Sequence, residues 1–319
     1  MDKRKTFFLA AIVLSVVIAA SGCLNPPPKQ AAGPGLTITN FISDTQEIDA
    51  NEETNVEVDF DNIGDEVARD VQGELIRKGA FEVTPLGPVD EGNANLQKLS
   101  ADLEPPITDT PSGDAFLWQI KAPAVTQQRT EQVQARVFYK YKTQGFGTIH
   151  FVPRDIIREK GESSFQLGPS SSAGPLEINV VATQPVILRE EKPQNVSLRV
   201  TIDILNLVDG RVDSDAITPP GSCTKALDCI DSVEIQGFGA ACLNATSEKT
   251  LWKPSDLKPI YLKLDGVRLV EGTEGKITQV MPFYINDASA ATSCQIKVTA
   301  NYRYRVDSPV LDITVNPIT

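Results

Sequence analysis

Two stretches of alternating side chains, one in each half of the chain, constrain this sequence more than any other feature. Val133, Ala135, Val137, Tyr139 and Tyr141 are spaced two apart among mostly polar or basic residues, and Ile296, Val298, Ala300, Tyr302 and Tyr304 repeat the pattern. A period of two puts successive side chains on opposite faces of a sheet, so each stretch reads as a half-buried strand and not as a helix. Both end in Tyr-basic-Tyr-basic, at 139–142 and 302–305, an offset of 163 residues from Tyr139 to Tyr302. From Leu36 onward the chain continues in short alternating runs. Val56, Val58 and Phe60 are interleaved with Glu57 and Asp59, then Asn62-Ile63-Gly64-Asp65 supplies turn chemistry before Val67, Val71 and Leu75 resume. This pattern predicts an all-β chain built as sandwiches.

The pattern occurs twice. Gly168-Pro169-Ser170-Ser171-Ser172-Ala173-Gly174-Pro175 reads as a linker, after which Leu176, Ile178 and Val180 mirror Leu36, Ile38 and Asn40. Asn55-Val56-Glu57-Val58 is matched by Asn195-Val196-Ser197-Leu198, an offset of 140, so the second copy carries 23 more residues before its tyrosine strand (163 against 140). The expected organisation is a signal peptide over 1–22, a tether over 23–35, a first sandwich over 36–167, the linker over 168–175, and a second sandwich over 176–319 with an elaborated middle. The length of 319 residues gives each sandwich enough chain for its own core. The tyrosines are expected to point inward and hydrogen-bond loop carbonyls, with ligand stacking as the alternative.

The N-terminus reads as an address. Lys3, Arg4 and Lys5 precede an apolar run from Phe7 to Ala20. At 1.5 Å per residue that run spans about 21 Å, short of the roughly 30 Å hydrocarbon core, which favours a signal sequence over a membrane-spanning anchor. Ala20-Ser21-Gly22-Cys23 resembles a lipobox, and the resemblance implies a thioether-linked lipid on Cys23 as the new N-terminus; Ala20 departs from the usual Leu, Val or Ile. Ordinary cleavage and an uncleaved anchor are the alternatives. The segment from Pro26 to Gly35 is proline-rich and suits a semi-rigid spacer between lipid and folded chain. The expected location is the extracellular face of the cell membrane, with the lipid on Cys23 as the membrane contact.

The segment Asp61-Asn62-Ile63-Gly64-Asp65-Glu66-Val67-Ala68 resembles the turn signature of CARDB-type, immunoglobulin-like domains of archaeal and bacterial surface proteins. Trp118-Gln119-Ile120-Lys121-Ala122-Pro123 with the following Tyr-x-Tyr strand, and Gly266-Val267-Arg268-Leu269-Val270-Glu271-Gly272, are similar to S-layer-associated tandem proteins. The resemblance covers residues 36–319 and implies two immunoglobulin-like sandwiches used for adhesion, cell-wall architecture or presentation. The second copy has Asn206-Leu207-Val208-Asp209-Gly210 where the Gly-Asp turn belongs.

Of the five cysteines, Cys223, Cys229, Cys242 and Cys294 lie in the second half. An even set in an exported chain predicts disulfides, and of the three possible pairings Cys223 with Cys229 and Cys242 with Cys294 is preferred, over a zinc site. Asn195-Val196-Ser197 and Asn244-Ala245-Thr246 are glycosylation sequons. The acidic run Asp59 to Glu66 is expected to be a solvated turn, its spacing being wrong for an EF-hand loop. The stretch from Gly79 to Asp114 is expected to be a long functional loop. A net charge of -12, becoming -14 once Asp2, Lys3, Arg4 and Lys5 are removed, argues against nucleic acid as a partner. One histidine, His150, leaves little for His-based catalysis. The sequence therefore predicts a non-catalytic, lipid-anchored surface protein without cofactor or metal, whose partners are other envelope or surface proteins or glycans. A solute- or glycan-binding component of a transporter or envelope complex, using Trp118, Trp252 or the tyrosines, is second; an enzyme is third.

Overall fold

The computed structural model describes residues 34–318 except 91–92, 108–109, 162–169, 190–192, 215–222, 224, 240 and 246–256. The signal sequence, Cys23, most of the tether and Trp252 lie outside the described residues. The first half contributes β1 (Leu36–Ser43), β2 (Glu47–Asp49), β3 (Glu53–Asn62), β4 (Arg69–Arg77), β5 (Glu82–Pro85), β6 (Val89–Asp90), β7 (Asn93–Lys98), β8 (Ser112–Lys121) and β9 (Arg129–Pro153). A short helix, α1 (Arg154–Lys160), leads to β10 (Ser170–Ser171), β11 (Leu176–Ala182), β12 (Val186–Leu188), β13 (Gln194–Asn206), β14 (Arg211–Asp213) and β15 (Cys229–Phe238). The chain closes with β16 (Leu243–Ala245), β17 (Leu257–Pro259), β18 (Tyr261–Arg268), β19 (Glu274–Ile285), β20 (Thr292–Asp307) and β21 (Leu311–Asn316). The fold is thus nearly all β.

The two halves repeat one pairing scheme. In the first, β3 lies between β1 and β8; in the second, β13 lies between β11 and β19. Opposite these small sheets runs one long sheet in the order β18-β15-β20-β9-β4-β7-β6, to which both halves contribute. The join is an antiparallel ladder between β9 and β20 that holds register from Arg136↔Asp307 to Phe151↔Thr292. Toward one end of it Tyr139 faces Tyr304, Lys140 faces Arg303 and Tyr141 faces Tyr302, so the two copies meet about a local twofold axis there.

β9 is 25 residues long because it serves both halves. Its odd-numbered side chains all point to one face, and both small sheets stack on that face. Val133, Ala135 and Val137 are buried in the first half. A Cβ on Gly145 or Gly147 would meet Ile178 or Val180 of β11, so in this stretch the strand lies directly against the second half's small sheet. Buried residues of both halves consequently form one continuous apolar cluster, from Phe60, Phe116 and Trp118 through the tyrosines to Ile202, Ile235, Phe283 and Val298. Residues 32–319 make up one compact unit. The sequence expectation of two separately closed cores is corrected here: alternation fixes which face of a strand is buried, not which copy covers it.

Three further differences follow from pairing. Leu36 faces Asn62 and Leu176 faces Asn206, so β3 and β13 correspond with an offset of 144 and not 140. Val56, Val58 and Phe60 match Val200, Ile202 and Ile204, all buried. The stretch 79–114 is not one long loop, since it carries β5, β6 and β7. Residues 170–175 are not a free connector either, because Ser170 and Ser171 pair with Phe146 and Gly145 of β9.

The last strand ties the halves again. β21 returns to the first half, pairing with β9 at Val133–Arg129 and parallel to β2 at Ile48. There Ile313 and Val315 close a second apolar cluster with Ile48, Val56, Phe81, Ile120 and Val133. The first-half core is therefore completed by residues that follow the whole second half. Replacing Ile313 by Ala is expected to cost about 2–5 kcal/mol, and to lower one shared unfolding transition in calorimetry; two transitions, only one of them shifted, would refute the shared core.

Candidate functional site

The residues that the sequence marks most strongly meet at the join between the halves. The ring centroids of Tyr139 and Tyr141 are 5.8 Å apart, Tyr139 and Tyr304 5.9 Å, Tyr141 and Tyr302 6.3 Å, and Tyr302 and Tyr304 6.2 Å. The four rings close a square of tilted and edge-to-face contacts, each pair contributing about 0.5–1.5 kcal/mol beyond area burial. All four are buried. Each hydroxyl ties down a different segment. Tyr139 Oη accepts from the Leu36 N–H at 3.2 Å, and Tyr141 Oη accepts from the Glu66 N–H at 3.0 Å and donates to the Ala173 carbonyl at 3.4 Å. Tyr302 Oη lies 2.6 Å from Thr143 Oγ1, and Tyr304 Oη donates to Asn206 Oδ1 at 2.8 Å.

Around this square the duplicated turns wrap identically. Asn62 Nδ2 donates to the carbonyls of Glu66 and Leu103, both at 2.9 Å, while Asn206 Nδ2 donates to those of Gly210 at 2.8 Å and Gly272 at 3.0 Å. The Ile63 N–H bonds the Gly35 carbonyl, as the Leu207 N–H bonds that of Pro175. Gly35 sits at φ +96°, which glycine tolerates best, and a side chain there would run into Pro175 and the Tyr139 hydroxyl. At Gly64 a Cβ would collide with the Tyr141 hydroxyl. The acidic turn is not merely solvated: Asp65 Oδ2 accepts from the Ala173 N–H at 3.0 Å, and Glu66 Oε1 accepts from Gln144 Nε2 at 3.0 Å while its other oxygen pairs with Lys142. Its oxygens bind the linker and β9.

Burial pushes all four phenols above the usual tyrosine range, with the neighbouring tyrosines or carboxylates adding to the effect. They stay protonated as hydrogen-bonding struts and are not poised as acids or nucleophiles. On the other side of the ladder a cavity of about 220 Å³ is lined by Glu66, Arg69, Lys140, Lys142, Asp231 and Asn301 among others. Its cations are neutralised: Lys140 and Lys142 pair with Asp70 and Glu66, both at 3.1 Å, and Arg69 with Asp102 at 3.6 Å. Hydrogen bonds from Lys98 and Lys140 hold the Asp70 carboxyl below its ordinary range. A groove of about 490 Å³ at the edge of the second half is lined by Arg154, Thr183, Pro185, Val186, Ile187, Arg189 and Leu198.

The other sequence-marked residues scatter. Disulfides join Cys223 to Cys229 and Cys242 to Cys294, with Cα separations of 5.9 and 5.0 Å. They are compatible with an oxidising, exported setting. Asn195 is exposed on β13; Asn244 pairs in β16 with Lys258, but its side chain and Thr246 lie outside the described residues. Trp118 is fully buried beside Phe116, so it offers no stacking surface. His150 stands in register with Ser293 on the ladder. Among the described residues no cluster of three His, Cys, Asp or Glu could hold a metal, and no helix is long and apolar enough to cross a membrane.

No sequence family matches the chain, and no curated protein does. Among solved structures, the secreted serine protease VesC from Vibrio cholerae aligns with a TM-score of 0.20 at 10% identity, over 86% of this chain and 50% of that one, so this chain spans half its length. A DUF4466 family protein from Parabacteroides merdae aligns with a TM-score of 0.16 at 7% identity, over 83% and 99%. Scores so low carry no argument about fold or activity.

A phenol whose folded pKa is raised stabilises the fold fully below its unfolded value of about 10 and loses that contribution as pH rises beyond it. In an alkaline titration the quartet's phenolate absorbance should therefore appear together with loss of the near-ultraviolet dichroism; ionisation of all six tyrosines with the fold intact would contradict this. Gly64→Ala should destabilise wild type by a few kcal/mol and a Tyr141→Phe background by less, with a coupling of about 1–3 kcal/mol. Additive effects in chemical denaturation would show that the turn and the ring do not touch.

Proposed function

We propose that this protein is a non-catalytic, lipid-anchored surface protein that presents a fused pair of immunoglobulin-like sandwiches for envelope architecture, adhesion or protein-protein contact. One observation carries the reading: the residues with the most chemical potential are spent on holding the halves together. Four tyrosines, Trp118 and the acidic turn are committed to the core and the join, and the cations of the cavity beside them are paired. A continuous ladder and a shared apolar core between the halves suit a presenting role better than a clamp that closes on a solute. The two disulfides support an exported location. The lipobox-like Ala20-Ser21-Gly22-Cys23 and the proline-rich tether support anchoring through Cys23 on the extracellular face, and the likeness of residues 61–68 to CARDB-type turns supports the surface assignment.

The glycan- or solute-binding alternative loses Trp118 and the tyrosine quartet as stacking platforms. Metabolic labelling with a fatty acid tests the proposal: wild type should incorporate label and fractionate with membranes, and Cys23→Ser should do neither. Equal labelling of both chains would remove the anchor.

A further inference from the structure

The sequon Asn195-Val196-Ser197 is a motif that neither the join nor the core absorbs. Alternation along β13 turns Val196 and Leu198 inward against the core and Asn195, Ser197 and Arg199 outward. Asn195 and Ser197 are both exposed, and among the described residues neither side chain has a hydrogen-bond partner. The carboxamide that would accept a sugar and the hydroxyl that completes the sequon therefore face solvent together, two residues apart. A sugar on Asn195 Nδ2 would displace no bond of the fold.

The sheet surface beside the sequon is apolar and uncovered. Asn195 stands opposite Tyr284, Ser197 opposite Pro282 and Arg199 opposite Val280. Val280 is 64% exposed, Pro282 is exposed, and Val181 on β11, opposite Thr201, is 48% exposed. One exposed valine is ordinary, but these side chains share a face and lie in register with the sequon. Farther along the same face the chemistry changes to charge: Asp203 pairs with Lys276 at 3.3 Å, and Glu177 and Glu274 both flank Leu205. The apolar strip is thus confined to the part of the sheet that carries Asn195.

The first half provides an internal comparison. At the offset of 144 it has Asn51-Glu52-Glu53 in place of the sequon, and the residues opposite Glu53 and Asn55 are Lys121 and Gln119, where the second half has Pro282 and Val280. The sequon and the apolar neighbours therefore occur together in one copy and are both missing from the other. A pyranose ring has a face of C–H groups and a rim of hydroxyls, so it can pack on a tyrosine ring, a proline or a valine and keep its polar groups in water. From Asn195 to the row of Val280 is four residues, about 13 Å along the strand, a span that a short oligosaccharide covers.

We propose that Asn195 is an N-glycosylation site whose sugars lie over Tyr284, Pro282 and Val280. The donor is an oligosaccharide held through its anomeric carbon on a polyprenyl phosphate, and a membrane glycosyltransferase carries out the transfer. Asn195 Nδ2 forms a bond to the anomeric carbon, the bond from that carbon to the phosphate oxygen breaks, the lipid phosphate leaves with the electron pair, and one amide proton passes to a base of the transferase. Modification here requires the exported location proposed above but not the lipid on Cys23.

The test uses the full chain purified from its own cells, with free thiols blocked at lysis, followed by mass spectrometry of tryptic peptides. Wild type should show Cys223, Cys229, Cys242 and Cys294 as disulfides, which reports export, and peptide 190–199 should carry sugar. Asn195→Gln and Ser197→Ala should leave that peptide bare, Ser197→Thr should keep it modified, and Asn244→Gln should not change it. Asn195→Gln should keep the circular dichroism of wild type and bind more of an apolar dye, and adding Val280→Thr should reverse that gain. Disulfides formed with Asn195 bare in wild type, or sugar on Asn244 alone, would overturn the proposal and leave the exported reading intact; free thiols throughout would overturn both. Sugar on Asn195 with dye binding unchanged by its loss would overturn the covering of the strip.

Discussion

The structure depends on one strand pairing. β9 and β20 run antiparallel through sixteen paired positions, and that ladder turns two sandwich-like halves into a single body. Everything at the join follows from its register. Pairing Tyr139 with Tyr304 and Tyr141 with Tyr302 brings four rings onto one face at cross-strand distances, where they can only be accommodated by mutual edge contacts. A one-residue slip of either strand would send its two tyrosines to the opposite face and break the square. The hydroxyls then reach outward to Leu36, Glu66, Ala173 and Asn206, so the start of the first half, both duplicated turns and the linker are hydrogen-bonded to the same cluster.

Two other devices act in the same direction. β21 crosses back to complete the first core, so neither half is whole without the other. The disulfide between Cys242 and Cys294 ties β20 to the loop after β15, at the end of the ladder away from the tyrosines. The two halves therefore share strands and core in one compact unit.

Much of this was legible in the residues, and the rest was hidden for identifiable reasons. The inward tyrosines, the doubled pattern and the all-β class were readable because period-two alternation reports directly on burial. The offset of β13 was misplaced by four residues because a shift by an even number leaves alternation unchanged. Asn62 and Asn206, which hold the duplicated turns, looked like ordinary turn residues; only their shared position opposite Leu36 and Leu176 reveals the role. The return of β21 has no local signature, since Leu311, Ile313 and Val315 would suit any edge. Strand partners across 180 residues are set by geometry that no window of sequence contains.

The central claim is that both halves open together because the ladder between them is the most deeply held part of the molecule. Native-state hydrogen exchange tests it most directly. The protected amides of Tyr139–Thr143 and Asn301–Tyr304 should exchange only through global unfolding, with the same opening free energy as protected amides in β3 and β13. A lower opening energy for one half, with the other half and its share of the ladder still protected, would show two separate domains and contradict the account.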